Sequence, residues 1–124
     1  MTTEPDCLFC RIVAGTVPAT VVARGRSTVA FRDIAPQAAT HVLVVPIVHH
    51  RDAAALVRTD PGLLAQVFAD AVAVAEQEGL ADGGYRLLTN TGRDGGQTVF
   101  HVHVHVLGGQ PLGAMAGAPI SAAG

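Results

Sequence analysis

The sequence predicts one α+β domain, in which an antiparallel sheet is combined with one short and one long helix. A length of 124 residues suits a single domain with its own apolar core. Two short runs of β-branched and apolar residues flank the polar turn Arg-Gly-Arg-Ser at 24–27, which is typical of a hairpin. The third observation is an apolar face that recurs at helical spacing over residues 61–78.

The first half of the chain is predicted to hold the short helix and three strands. Asp6 is a capping residue for a helix over 7–14, where apolar residues recur at helical spacing, and Gly15 stands where that helix ends. The third strand, Thr-His-Val-Leu-Val-Val-Pro, is a mostly apolar run whose only ionisable side chain is His41 near its start, so we expect it to be buried. The predicted strands are 20–23, 28–31 and 40–46.

The second half is predicted to hold the long helix and two more strands. Asp60 before Pro61 begins the helix and Gly79 ends it. The two strands lie on either side of a loop rich in glycine and aspartate, and their predicted bounds are 85–90 and 99–107. The tail at 110–124 consists mainly of Ala, Gly and Pro, and we expect it to be flexible or to lie against a partner subunit.

The composition disfavours several classes of protein. Apolar residues make up 49% of the chain and charged residues 15%, unlike a disordered protein. The net charge is −2 and the basic residues are not clustered, so we expect no nucleic acid partner. The first residues lack the pattern of a signal peptide, and Asp70 and Glu76 interrupt the longest apolar helix. We therefore expect a cytoplasmic protein that does not enter a membrane.

Three of the six histidines occupy alternate positions of one segment, Phe-His-Val-His-Val-His-Val at 100–106. Because side chains alternate between the two faces of a strand, His101, His103 and His105 are predicted to share one face, with valines on the other. Three adjacent polar rings need hydrogen-bond partners that an apolar core does not offer. This favours a functional cluster over a sheet face that is merely polar.

The segment before the histidines, Asn-Thr-Gly-Arg-Asp-Gly-Gly-Gln-Thr at 90–98, is rich in glycine and in polar donors. Glycines let backbone N–H groups approach an anion, although the same segment alone would also suit a flexible turn. An imidazole, with an ordinary pKa of about 6.5, can attack phosphorus or stabilise charge on oxygen near neutral pH. The loop and the histidines together indicate a site that binds a phosphate group and reacts at its phosphorus.

The histidine segment resembles the histidine triad motif of the HIT nucleotide hydrolases. Two longer segments, FRDIAPQAATHVLVVP and GYRLLTNTGRDGGQTVFHVHVHVLGG, are similar to those of the Hint branch of that family, the purine nucleoside phosphoramidases. The likeness extends from about Asp6 to Gly109. It implies a HIT-like fold with a HIT domain at 1–109 and a separate tail at 110–124.

The resemblance implies a covalent mechanism on a purine mononucleotide such as AMP or GMP. His103 would attack the α-phosphorus of a nucleoside phosphoramidate, expel the amine and form a nucleotidyl-histidine, which water then hydrolyses. His101 would orient the His103 ring, and His105 and His41 would lie near the phosphoryl oxygens. The other implied site residues are Thr98 near the leaving group, Asn90, Gly96 and Val99 at the phosphate, Asp33 at the ribose, and Phe9, Ile12, Phe31 and Ile34 around the base.

Two of these assignments have a structural alternative. Asp33 could cap a turn, because aspartate often accepts a backbone hydrogen bond two residues further along the chain. Phe9, Ile12, Phe31 and Ile34 are apolar and could be ordinary core residues.

Cys7 and Cys10 form a Cys-x-x-Cys pair, which in a reducing compartment is typical of metal ligands or redox thiols. By resemblance to bacterial members of the family, the two cysteines would join His49 and His101 in a structural zinc site. Two thiolates and two imidazoles suit tetrahedral Zn²⁺. Catalysis itself would need no cofactor. The alternative is that the cysteines are only a buried pair on one side of a helix.

The resemblance also implies a homodimer formed through the long helix and the strand that follows Gly83. The mostly apolar run 67–75 is compatible with that, although the same face could be buried within the subunit. Three other functions are open from the sequence: a dinucleoside polyphosphate hydrolase, a zinc hydrolase whose triad binds a catalytic metal, and a nucleotide-binding module with little activity.

Overall fold

The computed structural model describes residues 3–115, which form one α+β domain as predicted. Its elements are α1 Leu8–Ala14, β1 Val21–Arg24, β2 Thr28–Arg32, β3 Thr40–Pro46, α2 Ala53–Thr59, α3 Pro61–Gln77, β4 Tyr85–Leu88 and β5 Val104–Gly108. The five strands form a single sheet in the order β1-β2-β3-β5-β4, with every neighbouring pair antiparallel. No helix within 3–115 is both long and apolar enough to span a membrane. Of the predicted tail at 110–124, residues 116–124 lie outside the described part.

The long helix α3 covers one face of the sheet. Asp60 caps its first turn by accepting a hydrogen bond from the Leu63 N–H, as the sequence predicts. The buried side chains of α3 pack against valines of β3 and β5; they are Val67, Ala71, Val74 and Ala75. These members of the apolar run 67–75 are therefore buried within the subunit.

The short helix α1 covers the opposite face, where Phe9 and Ile12 pack with Phe31 and Leu43. Gly15 ends α1 with a φ of 82°, a conformation that glycine adopts without strain. The prediction that Asp6 caps α1 is wrong. The cap is Cys7, whose sulfur accepts the hydrogen bond from the Cys10 N–H.

The helix α2 is missing from the prediction. Asp52 caps it by accepting a hydrogen bond from the Ala55 N–H at 2.8 Å. The helix has only seven residues and a single buried side chain, Leu56, so it carries no repeated apolar face that the sequence could reveal.

The last strand begins later than predicted, at Val104 rather than Val99. Its pairing with β3 ends at Val44 and Val104. One cause is Pro46, which lacks an N–H and therefore cannot donate to a continued ladder. The Val102 N–H instead donates to the His50 carbonyl at 2.8 Å. Of the three motif histidines, only His105 lies within a regular strand.

Candidate active site

A cavity of about 630 Å³ opens on the sheet face that α1 covers. It is lined by residues from α1, from β2 and the turn after it, from the loop before the histidine motif, and from the motif itself. The predicted site residues that line it are Phe9, Ile12, Phe31, Asp33, Ile34, His41, Asn90, Gly96, Thr98, Val99, His103 and His105. Residues that are distant in the sequence and were predicted to share one site therefore lie around one cavity.

One end of the cavity is apolar. Phe9, Ile12 and Phe31 are buried members of the core and also form this wall, so they are core residues and cavity residues at once. The ring centroids of Phe9 and His103 lie 5.0 Å apart in an edge-on arrangement. Ile34 differs from the other three, because 96% of it is exposed at the rim.

A hydrogen bond at Nδ1 orients the His103 ring and leaves its Nε2 free. Its Nδ1 lies 2.8 Å from the His101 carbonyl oxygen, which can only accept, so Nδ1 carries the hydrogen and Nε2 carries the lone pair. Burial lowers the pKa of His103, which keeps the ring neutral near pH 7. The orienting contact thus comes from the backbone of His101, whose ring lies elsewhere.

Asp33, His41 and His105 form a group that we call the aspartate cluster. His41 and His105 occupy diagonal positions on β3 and β5, because His105 pairs with Leu43 and His41 pairs with Leu107. His41 Nε2 lies 2.9 Å from His105 Nδ1 and 3.4 Å from Asp33 Oδ2. The other carboxylate oxygen, Oδ1, accepts from the Ala35 N–H at 2.8 Å. Asp33 therefore caps a turn and faces a histidine.

The backbone fixes where the hydrogens of the aspartate cluster lie. The Gln37 N–H donates to His41 Nδ1 at 3.1 Å, so a neutral His41 carries its hydrogen on Nε2. That hydrogen points to His105 Nδ1, and a neutral His105 then carries its own hydrogen on Nε2. Gln37 is a contributor that the sequence reasoning missed, because a backbone donor leaves no signal in residue type.

Both histidines of the aspartate cluster are neutral near pH 7. Burial is the largest cause and lowers the pKa of His105 to about 4, with the nearby His103 and His41 acting in the same direction and Asp33 against it. Burial likewise lowers the pKa of His41, again opposed by Asp33. The cluster therefore offers directed N–H groups rather than a full positive charge.

The loop between β4 and the histidine motif is built around two glycines. A Cβ on Gly95 would lie 2.5 Å from the Thr91 carbonyl oxygen, and Gly96 has a φ of 88°. Asn90 donates to the Gly95 carbonyl at 2.6 Å. The Gly96 N–H, which the resemblance assigns to phosphate, donates to the Arg93 carbonyl at 3.0 Å within the loop.

Cys7, Cys10, His49 and His101 form a second group, the cysteine cluster. Its four potential ligand atoms lie within 4.8 Å of one another. The Sγ atoms of Cys7 and Cys10 lie 3.4 and 3.5 Å from His101 Nδ1, and the Nδ1 atoms of His49 and His101 are 3.2 Å apart. Tetrahedral zinc with ordinary bond lengths separates such donors by about 3.3 to 3.8 Å. The four residues therefore fit a metal ion.

Contacts behind the cysteine cluster favour the ligating forms of its members. His101 Nε2 donates to the Pro46 carbonyl at 2.8 Å, which leaves the Nδ1 lone pair free for a metal. Burial lowers the pKa of His101 to about 4, so its ring is neutral. Burial raises the pKa of the Cys10 thiol, and a bound cation would supply the charge that favours its thiolate.

Comparison with known proteins identifies the family of the chain. The family model described as HIT domain matches residues 14–112. A purine nucleoside phosphoramidase of Escherichia coli K12 is 41% identical over 110 residues, which cover 89% of this chain and 92% of the relative. A HIT family hydrolase from Legionella pneumophila is 45% identical, with a TM-score of 0.82 over 86% of this chain and 95% of that protein.

A further solved structure, a HIT family hydrolase from Clostridium thermocellum, is 38% identical to this chain. It superposes with a TM-score of 0.86 and covers 90% of this chain and 97% of its own. The sheet order, the position of the histidine motif and the extent of these matches lead to one conclusion: the chain belongs to the HIT domain family.

Proposed function

We propose that this protein is a nucleotide hydrolase that cleaves the P–N bond of purine nucleoside phosphoramidates through a covalent nucleotidyl-histidine. The observation that carries the proposal is the state of His103, a neutral ring in the cavity wall whose Nε2 lone pair is left free by the Nδ1 hydrogen bond. The substrate class is taken from the E. coli relative, which is a purine nucleoside phosphoramidase.

In the proposed first step, His103 Nε2 forms a bond to the α-phosphorus and the bond from phosphorus to the amine breaks. The amine leaves with the bonding electron pair and takes up a proton. In the second step a water oxygen attacks the same phosphorus and loses a proton, which balances the proton taken up by the amine. The P–Nε2 bond breaks with its electron pair returning to Nε2, and the nucleoside monophosphate is released with His103 restored.

The surrounding residues are assigned by what they can donate or accept. We assign the Nε2–H of His105, with His41 behind it, to the phosphoryl oxygens, and the Thr98 hydroxyl to the leaving group. Asn90, Gly96 and Val99, in the loop beside His103, are assigned to the phosphate, and the Gly96 N–H would exchange its bond to the Arg93 carbonyl for one to a phosphate oxygen. Asp33 Oδ2 is assigned to a ribose hydroxyl, since Oδ1 is already used by the Ala35 N–H.

The apolar end of the cavity is assigned to the purine base. Phe9, Ile12 and Phe31 form its wall, and Ile34 at the rim would pack on the exposed edge of the base. AMP and GMP both suit such a wall, because apolar side chains contact the faces of a purine and do not bond to its hydrogen-bonding groups.

We assign structural zinc to the cysteine cluster. None of Cys7, Cys10, His49 and His101 lines the cavity, so a metal held there would have no contact with the reacting atoms. It would join α1 to the segment after β3 and to the start of the histidine motif. We further propose a cytoplasmic homodimer in which residues 1–109 form the HIT domain and residues 110–124 form a separate tail.

A zinc hydrolase with catalytic metal on the triad is less well supported. A metal in the aspartate cluster would need a lone pair on His41 Nε2, and that atom carries the hydrogen because the Gln37 N–H occupies Nδ1. This hydrogen-bonding pattern suits the handling of protons and phosphoryl oxygens rather than metal binding.

The proposed function is tested by AMP release from adenosine 5′-phosphoramidate in buffer treated to remove free metal. Wild type and His50→Ala, a matched histidine outside both clusters, are expected to release AMP. His103→Ala is expected to fall in rate on the order of 10⁴-fold or more while keeping its melting temperature. A denaturing quench during wild-type turnover should trap one nucleotidyl group on His103.

Three results would redirect the assignment. Near-native turnover by His103→Ala would reject the covalent mechanism. Faster release of AMP from a diadenosine polyphosphate than from the phosphoramidate would favour a dinucleoside polyphosphate hydrolase. Tight AMP binding without turnover of either substrate would favour a nucleotide-binding module.

A further inference from the structure

Gln97 is a buried polar residue with no place in the chemistry described above. Only 4% of it is exposed. Its neighbours Gly96, Thr98 and Val99 line the cavity, whereas Gln97 itself does not. Its side chain therefore points from the loop into the protein, away from the substrate.

The amide of Gln97 uses all of its donors. Its Oε1 accepts from the Gly92 N–H at 2.8 Å, and its Nε2 donates to the carbonyls of Arg51 at 2.8 Å and Val99 at 3.1 Å. The partners fix the amide orientation, because a flipped amide would face the Gly92 N–H with its own donors. The Gln97 N–H also donates to the Gly92 carbonyl at 3.0 Å.

These bonds connect three separate parts of the site. Gly92 and Val99 lie near the start and the end of the loop beside His103, so the loop is closed on itself. Arg51 follows β3 and is two residues from His49 of the cysteine cluster. The amide thereby anchors the loop to a segment that is also bonded to the histidine motif, through the His50 carbonyl and the Val102 N–H.

We propose that Gln97 is a positioning residue that holds the loop at 90–99 in register with His103 and so determines how well the site binds the phosphate of a nucleotide. This inference rests on the proposed function. Its physical basis is that loop atoms contribute to binding and rate only when they are held near their productive positions, and a displacement of about 1 Å can cost on the order of 10²-fold in rate.

The first test is Gln97→Glu, which keeps an acceptor for the Gly92 N–H but turns a carboxylate oxygen toward two carbonyls. At neutral pH we expect kcat/KM for adenosine 5′-phosphoramidate to fall on the order of 10²-fold and the Kd for AMP to rise. The introduced carboxyl is buried against acceptors, so its pKa should be raised. The ratio of variant to wild-type activity should therefore recover as the pH is lowered and the carboxyl gains a hydrogen to donate.

The matched control is Thr28→Val. Thr28 is also 4% exposed and lies under α3 away from the loop, and its replacement by valine removes one partly buried hydrogen bond, to Asp70. We expect a lower melting temperature with unchanged kcat/KM and AMP affinity. If the Gln97→Glu protein fails to fold, Gln97→Met takes its place, because it keeps the side-chain length and introduces no charge.

A folded Gln97 variant with wild-type AMP affinity would overturn the proposal, as would a Thr28→Val protein that loses affinity equally. The proposed function fails separately: a wild type that binds AMP without hydrolysing the phosphoramidate contradicts that function, and the AMP affinities of the variants still decide the role of Gln97.

Discussion

The cysteine cluster and the aspartate cluster lie at opposite ends of the histidine motif, and both bring potential metal ligands within 4.8 Å of one another. They differ in the atoms behind the rings. In the cysteine cluster, a carbonyl takes the hydrogen of His101 Nε2 and leaves Nδ1 free. In the aspartate cluster, a backbone N–H occupies His41 Nδ1 and keeps the hydrogen on Nε2, the atom that faces the other members.

The difference shows that proximity of ligand atoms does not by itself define a metal site. In a neutral histidine, one ring nitrogen carries a hydrogen and the other a lone pair. A backbone carbonyl at the nitrogen that faces away from the cluster places the hydrogen there and leaves the lone pair toward the cluster, whereas a backbone N–H does the reverse. Three backbone contacts, at Pro46, at His101 and at Gln37, thus leave a free Nδ1 on His101, a free Nε2 on His103 and, through His41, an Nε2–H on His105.

After His103→Ala, the largest expected effect comes from breaking the aspartate cluster with His105→Ala. Removal of a positioned N–H beside the phosphoryl group is expected to lower kcat on the order of 10²- to 10⁴-fold. The zinc content per chain, measured by elemental analysis, should stay at the wild-type value. His49→Ala should show the reverse pattern, with metal lost and most of the rate retained. Loss of metal from His105→Ala would show that the two clusters are not independent.

The cysteine cluster is broken most directly by Cys10→Ser. Loss of a ligand that binds only the folded state removes about 4 kcal/mol when the metal is present at a thousand times its Kd. This corresponds to a decrease in Tm on the order of 15 °C for a domain of this size. The measurement is thermal unfolding of wild type and variant with and without chelator. Chelator should lower the Tm of wild type alone, and an equal decrease in both proteins would contradict metal binding at Cys10.

The contrast between the clusters also marks the limit of what the sequence predicts. The strand Thr40–Pro46 could be predicted because a buried strand is a run of apolar residues. The helix after Asp60 could be predicted because its apolar residues recur at helical spacing and aspartate is a preferred capping residue. Residues that line the cavity could be named because the histidine motif and the segments around it resemble a known family.

Contacts made by backbone atoms could not be predicted in the same way. The Gln37 N–H on His41 and the Arg51 carbonyl on Gln97 both use backbone groups, which do not depend on the side chain. Residue type therefore carries no trace of them. The capping role of Cys7 could not be predicted for a related reason, since the sequence does not distinguish a cysteine that caps a helix from one that binds a metal.

Acidification is expected to have a smaller effect on stability, through His105 of the aspartate cluster. The pKa of His105 is lowered from 6.5 to about 4, mainly by burial and then by His103 and His41, with Asp33 opposing. Between these values the unfolded chain binds a proton at this residue and the folded chain does not, so stability is complete above pH 6.5 and is lost as the pH falls. In urea unfolding, the free energy of unfolding of wild type relative to His105→Gln should therefore decrease on acidification. The slope of this decrease against pH should correspond to the uptake of at most one proton on unfolding. A pH-independent difference would contradict the lowered pKa.

The smallest expected effect separates the two roles of Asp33, which caps a turn through Oδ1 and faces His41 through Oδ2. Asp33→Asn keeps an acceptor for the Ala35 N–H but removes the charge, so Tm should change by about 2 °C or less. The Kd for AMP should rise roughly 5-fold, as a charge-assisted hydrogen bond becomes a neutral one. Asp33→Ala, the matched variant, should lower both Tm and affinity. If Asp33→Asn binds AMP as wild type does, Asp33 is a turn cap alone, and the aspartate cluster reduces to a pair of histidines whose hydrogens the Gln37 N–H directs.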